Sequence, residues 1–294
     1  MLACPWLVIT SPAIRLNAQA VTSEVQRRTL SFRGEEREYF VRLPENFNPE
    51  NIYWPLVVIH GGEGNDPAHW FATEVYNNVN ELSFDAIVVW PTLTSSSGRR
   101  FASHGEDEFL LRVLDELGDE YQLRAKMLLT GYSGGGHFSH RFALQNPGQV
   151  EAVAPFAAGH WTTPDGTLLT NSLGEVSDPV AFFSDEANAQ SVSEGFSYMF
   201  DPEVARAAGN PAKAGAKDIP FLVMCGMRDP RFSVTQQFAE VLREEGYMIR
   251  AEWTETPHSC SGGTDEVCMA EFQSEFDKYY LRVVEFFQEL TTGA

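Results

Sequence analysis

Short apolar runs closed at both ends by turn residues recur along this chain, and they set the class of fold it can adopt. Trp54 to His60 (WPLVVIH), Asp85 to Trp90 (DAIVVW), Lys126 to Thr130 (KMLLT), Glu151 to Phe156 (EAVAPF) and Ile219 to Cys225 (IPFLVMC) are too short for core helices and show no in-out alternation. Such runs suit strands buried on both faces. Amphipathic stretches lie between them. Asp107 to Leu117 places Phe109, Leu110, Val113, Leu114 and Leu117 at helical spacing, and Val234 to Glu245 does the same with Phe238, Val241 and Leu242. A last helix is predicted from about Met269 to Leu290 on Tyr280, Val283, Val284 and Phe287. Strands alternating with helices demand right-handed crossovers, which predicts an α/β fold with a mainly parallel central sheet flanked by helices. Ahead of it, Val25 to Phe32 and Glu36 to Leu43 read as an N-terminal antiparallel hairpin around Arg33-Gly34-Glu35.

With 294 residues, the chain fits one domain over 21–294. Its rhythm breaks from His160 to about Ala216, a stretch rich in Thr, Ser, Asp, Asn, Gly and Pro that separates two core strands by more than a crossover needs. It is expected to be an insertion after the strand that follows the nucleophile helix, either a surface excursion or a lid over the strand ends. The first twenty residues end in Ala18-Gln19-Ala20, a small-x-small pattern that fits signal cleavage, although Pro12 and Arg15 interrupt the apolar stretch. Export to a secreted or periplasmic location, or a disordered N-terminus, are the two readings.

An excess of 41 acidic over 21 basic residues gives a formal charge of −20, which repels nucleic acid and anionic membrane surfaces. No apolar run reaches the roughly 18 residues of a membrane span. The four cysteines, Cys4, Cys225, Cys260 and Cys268, show no metal-type spacing. Cys225 reads as a buried small hydrophobe, and Cys260 and Cys268 could close a short disulfide loop in an oxidising compartment. Neither metal nor cofactor is expected.

The chemistry is carried by Gly131-Tyr132-Ser133-Gly134-Gly135, which follows KMLLT directly and precedes a helical stretch from Gly136 to Gln145. A sharp strand-to-helix turn needs small neighbours and projects the Ser133 hydroxyl from the sheet edge as a candidate nucleophile. A serine hydroxyl needs a base, and in this context acid and base follow later in the chain, each after a strand. Asp229 stands after IPFLVMC. His258 stands after the predicted strand Met248 to Thr254. Glu255, the nearest rival acid, lies three residues before His258 on the same loop, and the other histidines precede the last strands. Backbone donors for a tetrahedral oxyanion would come from Gly134 and, in the His60-Gly61-Gly62-Glu63-Gly64 loop, from Gly62.

With these residues placed, the chain resembles the polyhydroxybutyrate-depolymerase-like, feruloyl and acetylxylan esterases, a branch of the α/β-hydrolases. The resemblance runs from about Arg37 to Phe287 and rests on EYFVRLP at Glu38, the His60-Gly61-Gly62 loop, GYSGGG at Gly131, VAPFAAG at Val153, Gly226 to Asp229, and His258. It implies a serine ester hydrolase working through an acyl-enzyme on a small-molecule or oligomeric ester. Trp161 would then stand beside the scissile ester, unless it is a half-buried packing residue. Phe196, with Phe182, Phe183, Tyr198 and Phe200, would line an aromatic or apolar pocket from the insertion. Two alternatives remain: a serine peptidase or acyltransferase on the same residues, and a non-catalytic binding protein of the same fold.

Overall fold

The computed structural model describes residues 24–61, 70–93, 105–185, 188, 201–257 and 266–292, without the side chains of 70, 71, 266–273 and 275. Three of the site residues expected from sequence, Gly62, Phe196 and His258, lie outside the described residues, as do Cys260 and the side chain of Cys268.

Eight strands form one sheet: β1 (Gln26–Phe32), β2 (Glu35–Arg42), β3 (Trp54–Ile59), β4 (Ala86–Pro91), β5 (Met127–Tyr132), β6 (Val150–Phe156), β10 (Phe221–Gly226) and β11 (Ile249–Thr254). Their spatial order is β1-β2-β4-β3-β5-β6-β10-β11. The pairs β1·β2 and β2·β4 are antiparallel and all the others are parallel. The hairpin turns on Arg33 and Gly34, both at positive φ (52° and 87°), as a two-residue turn matched to strand twist requires.

Both faces of the parallel strands are buried, which is why their sequences do not alternate. In β3, Val57 and Ile59 pack with α2 (Glu106–Glu120), α3 (Gly134–Gln145) and α6 (Phe232–Glu244) through Phe109, Val113, Phe138, Phe142, Phe238 and Leu242. Leu56 and Val58 point the other way, onto α1 (Trp70–Glu81) and α7 (Glu266–Thr292), meeting Val75, Val79, Tyr280 and Phe287. The period of two within each strand thus feeds two helical layers.

Helix α1 is not among the elements read from the sequence, although Ala72, Val75, Tyr76 and Val79 follow helical spacing and are buried. Its asparagines suggest a loop. In the helix, Asn78 and Asn80 donate to the carbonyls of Glu74 (2.8 Å) and Tyr76 (3.0 Å) one turn back, which satisfies them within the element.

The stretch after β6 builds more than a polar excursion. Short strands β7 (His160–Thr162), β8 (Leu168–Thr170) and β9 (Gly174–Val176) form an antiparallel sheet, followed by α4 (Pro179–Ser184) and α5 (Pro202–Ala208). Leu168, Val176, Phe183, Val204, Ala205 and Ala208 give it an apolar core of its own, with Phe182 packed on the edge. Phe182 and Phe183 therefore serve first to hold this unit together. Asp178 and Asp201 cap the two helices by accepting the N–H of Ala181 (2.9 Å) and of Glu203 (2.8 Å).

Candidate active site

Strand β5 runs straight into α3 with one residue between them, and that residue is Ser133, at φ 54° and ψ −113°. The conformation is rare for a residue with a side chain and persists because both flanks are fixed. On one side the Ser133 N–H donates to the Phe156 carbonyl at the end of β6 (2.9 Å), and on the other its own carbonyl accepts the N–H of His137 (3.1 Å).

The glycines around it are required by contact. A Cβ on Gly135 would lie 2.0 Å from the Ile59 carbonyl oxygen, and one on Gly131 would lie 2.3 Å from that of Gly135. Both obstacles are backbone, so neither can rotate away. Gly135→Ala is accordingly expected to cost about 3 kcal/mol or more, or to prevent folding. A thermal melt and soluble yield equal to the parent's would contradict that packing.

Gly61, which follows β3, comes equally close from another direction. A Cβ there would lie 2.9 Å from the Tyr132 carbonyl oxygen and 3.2 Å from Ser133 Cβ. The chain after β3 therefore leaves the sheet against Ser133. Gly134 opens α3, and the first N–H groups of a helix have no intrahelical acceptor, so its N–H is available at the Ser133 turn.

Asp229 lies in the loop between β10 and α6, with its side chain only 1% exposed. Strand β10 is two places from β5 in the sheet, and parallel direction brings both loops to the same edge. The carboxylate accepts the N–H of Arg231 (2.9 Å), and the Arg231 guanidinium stands 3.8 Å away. The loop after β11, which leads to His258, is joined to the same place. Met227 N–H donates to the Thr254 carbonyl (2.6 Å), Arg228 Nε to that of Glu255 (2.6 Å), and a Cβ on Gly226 would collide with the Thr256 carbonyl oxygen at 1.9 Å. Hydroxyls of Thr254, Thr256 and Tyr279 bond among themselves and tie the loop to α7. The chain reaches Pro257 beside the loop that holds Asp229.

Of the two readings of Trp161, the structure favours packing over contact with the ester. It is wholly buried, its ring stacks on Phe238 (centroids 4.4 Å apart) and lies 4.9 Å from that of His140, and Nε1 donates to Thr235 Oγ1 (3.1 Å). An aromatic beside an alcohol-bearing helix, with one polar atom to satisfy, is more stable folded under α6 than exposed over the site. Trp161 is therefore a core residue, and the role of substrate contact is withdrawn from it.

Sequence reasoning missed the polar layer beneath Ser133. Nε2 of His137 accepts the N–H groups of Gly159 (2.7 Å) and His160 (3.1 Å), and the rings of His137 and His160 stack at 4.6 Å. His140 contacts the Gly136 carbonyl through Nδ1 (2.7 Å) and accepts Thr162 N–H at Nε2 (2.9 Å). Arg141 Nε donates to Thr162 Oγ1 (2.6 Å), whose own proton goes to the Ala208 carbonyl (2.8 Å). Burial, followed by neighbouring cations and imidazoles, holds His137 and His140 well below the usual histidine range and His160 down at about 3. These histidines are neutral struts between α3 and the insertion. Among the described residues, no group of three or more His, Cys, Asp or Glu is placed to hold a metal ion, and no helix is long and apolar enough to cross a membrane.

No family model matches the sequence. Feruloyl esterase D of Neurospora crassa is 28% identical over 192 residues, covering 62% of this chain and 60% of that protein. The aligned part thus spans less than two thirds of the curated relative's length. Among solved structures, a ferulic acid esterase superposes with a TM-score of 0.60 at 17% identity, covering 88% of this chain and 98% of the other. The acylaminoacyl peptidase of Pyrococcus horikoshii gives 0.58 at 15% identity, covering 90% of this chain and 41% of the other. The strand order, the Ser133 turn and these superpositions give one conclusion: the chain has the α/β-hydrolase fold.

Proposed function

We propose that the protein is a serine carboxylic ester hydrolase with Ser133 as nucleophile, His258 as general base and Asp229 as the acid that orients it. The observation that carries the reading is the Ser133 turn, whose strained backbone is fixed by Gly135 and flanked by Gly61, with a buried carboxylate on a loop at the same sheet edge. A binding protein gains nothing from holding a serine at φ 54°.

In this mechanism Ser133 Oγ attacks the ester carbonyl carbon while its proton passes to His258. The oxyanion takes the N–H groups of Gly134 and Gly62, and their hydrogen bonds strengthen as charge develops. Collapse of the tetrahedral intermediate expels the alcohol, which leaves with the proton from His258. Water then delivers its proton to His258 and attacks the acyl-serine, releasing the acid and restoring Ser133. Asp229 stabilises the imidazolium in each half-reaction.

The similarity to feruloyl esterase D favours aromatic acyl groups on soluble or oligomeric esters, and export would bring such substrates within reach. The test compares methyl ferulate, p-nitrophenyl acetate, hydroxybutyrate oligomers and feruloyl p-nitroanilide. Turnover of the esters with none of the anilide is expected, with a phosphonate inhibitor bonded to Ser133 in the labelled peptide. Hydrolysis of the anilide at rates comparable to the ester would make the protein a peptidase, and absence of labelling at Ser133 would remove the nucleophile.

A further inference from the structure

Arg231 is held at both ends beside the acid. Its main chain is fixed because its N–H donates to Asp229 Oδ1 (2.9 Å) while its carbonyl accepts the hydroxyl of Thr235 (2.8 Å), and that hydroxyl is itself bonded by buried Trp161 (3.1 Å). Its side chain crosses the loop after β6 at Gly159, where a Cβ would lie 3.1 Å from Nε. The guanidinium ends 3.8 Å from Asp229 and is 26% exposed, so water screens it only in part. Asp229 also precedes the N-terminus of α6, whose dipole favours a negative charge.

We propose that Arg231 is a positioning residue for Asp229, whose main chain and guanidinium jointly fix the carboxylate and whose cation offsets part of its charge, so that the base stays active to lower pH than beside Asp229 alone. The inference rests on the assignment of His258 as base. A bare carboxylate raises the affinity of an adjacent imidazole for a proton, and a fixed cation beside that carboxylate opposes the rise. The cost is some loss of imidazolium stabilisation. The return is a larger fraction of free base in mildly acidic solution.

Among the described residues, the titratable groups around Arg231 and Asp229 that shift do so away from that range. His137 from α3 and His160 from β7 are held neutral by burial. Tyr132 at the end of β5 and Tyr279 on α7 are pushed upward by burial, and the Cys225 thiol of β10 is pushed up to about 12. Arg228, on the same loop, has its Nε engaged by the Glu255 carbonyl.

The experiment is kcat/KM for p-nitrophenyl acetate from about pH 5 to about pH 8, where histidine titrates, with thermal melting of every variant. Arg231→Gln is expected to move the acid limb up by about half a pH unit or more, and Arg231→Lys to keep it close to the parent's. A limb unmoved in Arg231→Gln, or moved equally by both substitutions, overturns the proposal, since lost packing would lower the melting temperature without moving the limb. If Arg231→Gln does not fold, Arg231→Met, of similar reach and uncharged, takes its place, and an unmoved limb there also overturns the proposal. His258→Gln separates the two readings: a limb that persists in its residual activity removes His258 as base, whereas a limb lost there and unmoved in Arg231→Gln removes only the role of Arg231.

Discussion

Ser133→Gly is expected to give a protein that is inactive and more stable than its parent. At φ 54° and ψ −113° the serine occupies backbone space that costs a residue with a Cβ on the order of 1–3 kcal/mol. Glycine removes that cost, and loses about 0.5–1 kcal/mol back to the greater freedom of its unfolded chain. The net gain is about 1 kcal/mol, or roughly 2 °C in Tm for a chain of this size. Removing the nucleophile should lower kcat by a factor of about 10⁴ to 10⁶. Ser133→Ala keeps the Cβ and the strain, so it should match the glycine variant in activity and the parent in stability. Calorimetry and p-nitrophenyl acetate turnover decide the matter: a glycine variant less stable than the alanine variant would mean that the turn is not strained, and activity within about tenfold of the parent would mean that Ser133 is not the nucleophile.

The sequence disclosed the parts of this fold whose physics is local. Short buried strands have no alternation to hide, so β3, β4, β5, β6 and β10 were legible from runs such as WPLVVIH and KMLLT, and their boundaries shifted by one or two residues. The Ser133 turn was legible for the same reason, because only glycine can stand where Gly131 and Gly135 meet backbone oxygen. Helix α1 carried the correct spacing and was obscured by asparagines that the helix satisfies by back-bonding. What the sequence could not display was partnership over distance. Nothing about Trp161 distinguishes an exposed aromatic from one whose Nε1 finds Thr235, 74 positions later. Nor does an arginine two residues after an aspartate announce that its side chain lies against Gly159. His137 and His140 belong to the same class, since each accepts main-chain N–H groups that only the folded chain brings near.

Those histidines set the acid limit of the structure. In the folded chain His137, His140 and His160 are held below their usual range, first by burial and then mainly by the Arg141 cation and one another, and the hydrogen bonds to Nε2 of His137 and His140 need the unprotonated ring. The unfolded chain titrates them near the ordinary value of about 6.5. Folded values below unfolded ones mean that, as pH falls below about 6.5, the unfolded state binds protons the native state refuses, so stability is present above that pH and is lost on acidification. From about a unit below 6.5, each histidine contributes about 1.4 kcal/mol per pH unit, and the three together on the order of 4 kcal/mol per unit, until the folded values are reached, at about 3 for His160. A domain of ordinary stability, about 5–15 kcal/mol, cannot sustain that slope for more than a few units. Urea unfolding between about pH 7.5 and pH 5.5, where carboxylates stay ionised, should show the decline, and His160→Asn should reduce the total decline over that interval by about 1.4 kcal/mol. A flat stability over that interval, or a slope unchanged in His160→Asn, would mean that the layer admits protons or water. Because the layer joins α3 to the insertion next to Ser133, its protonation removes the support of the Ser133 turn, so irreversible loss of activity in acid should follow unfolding.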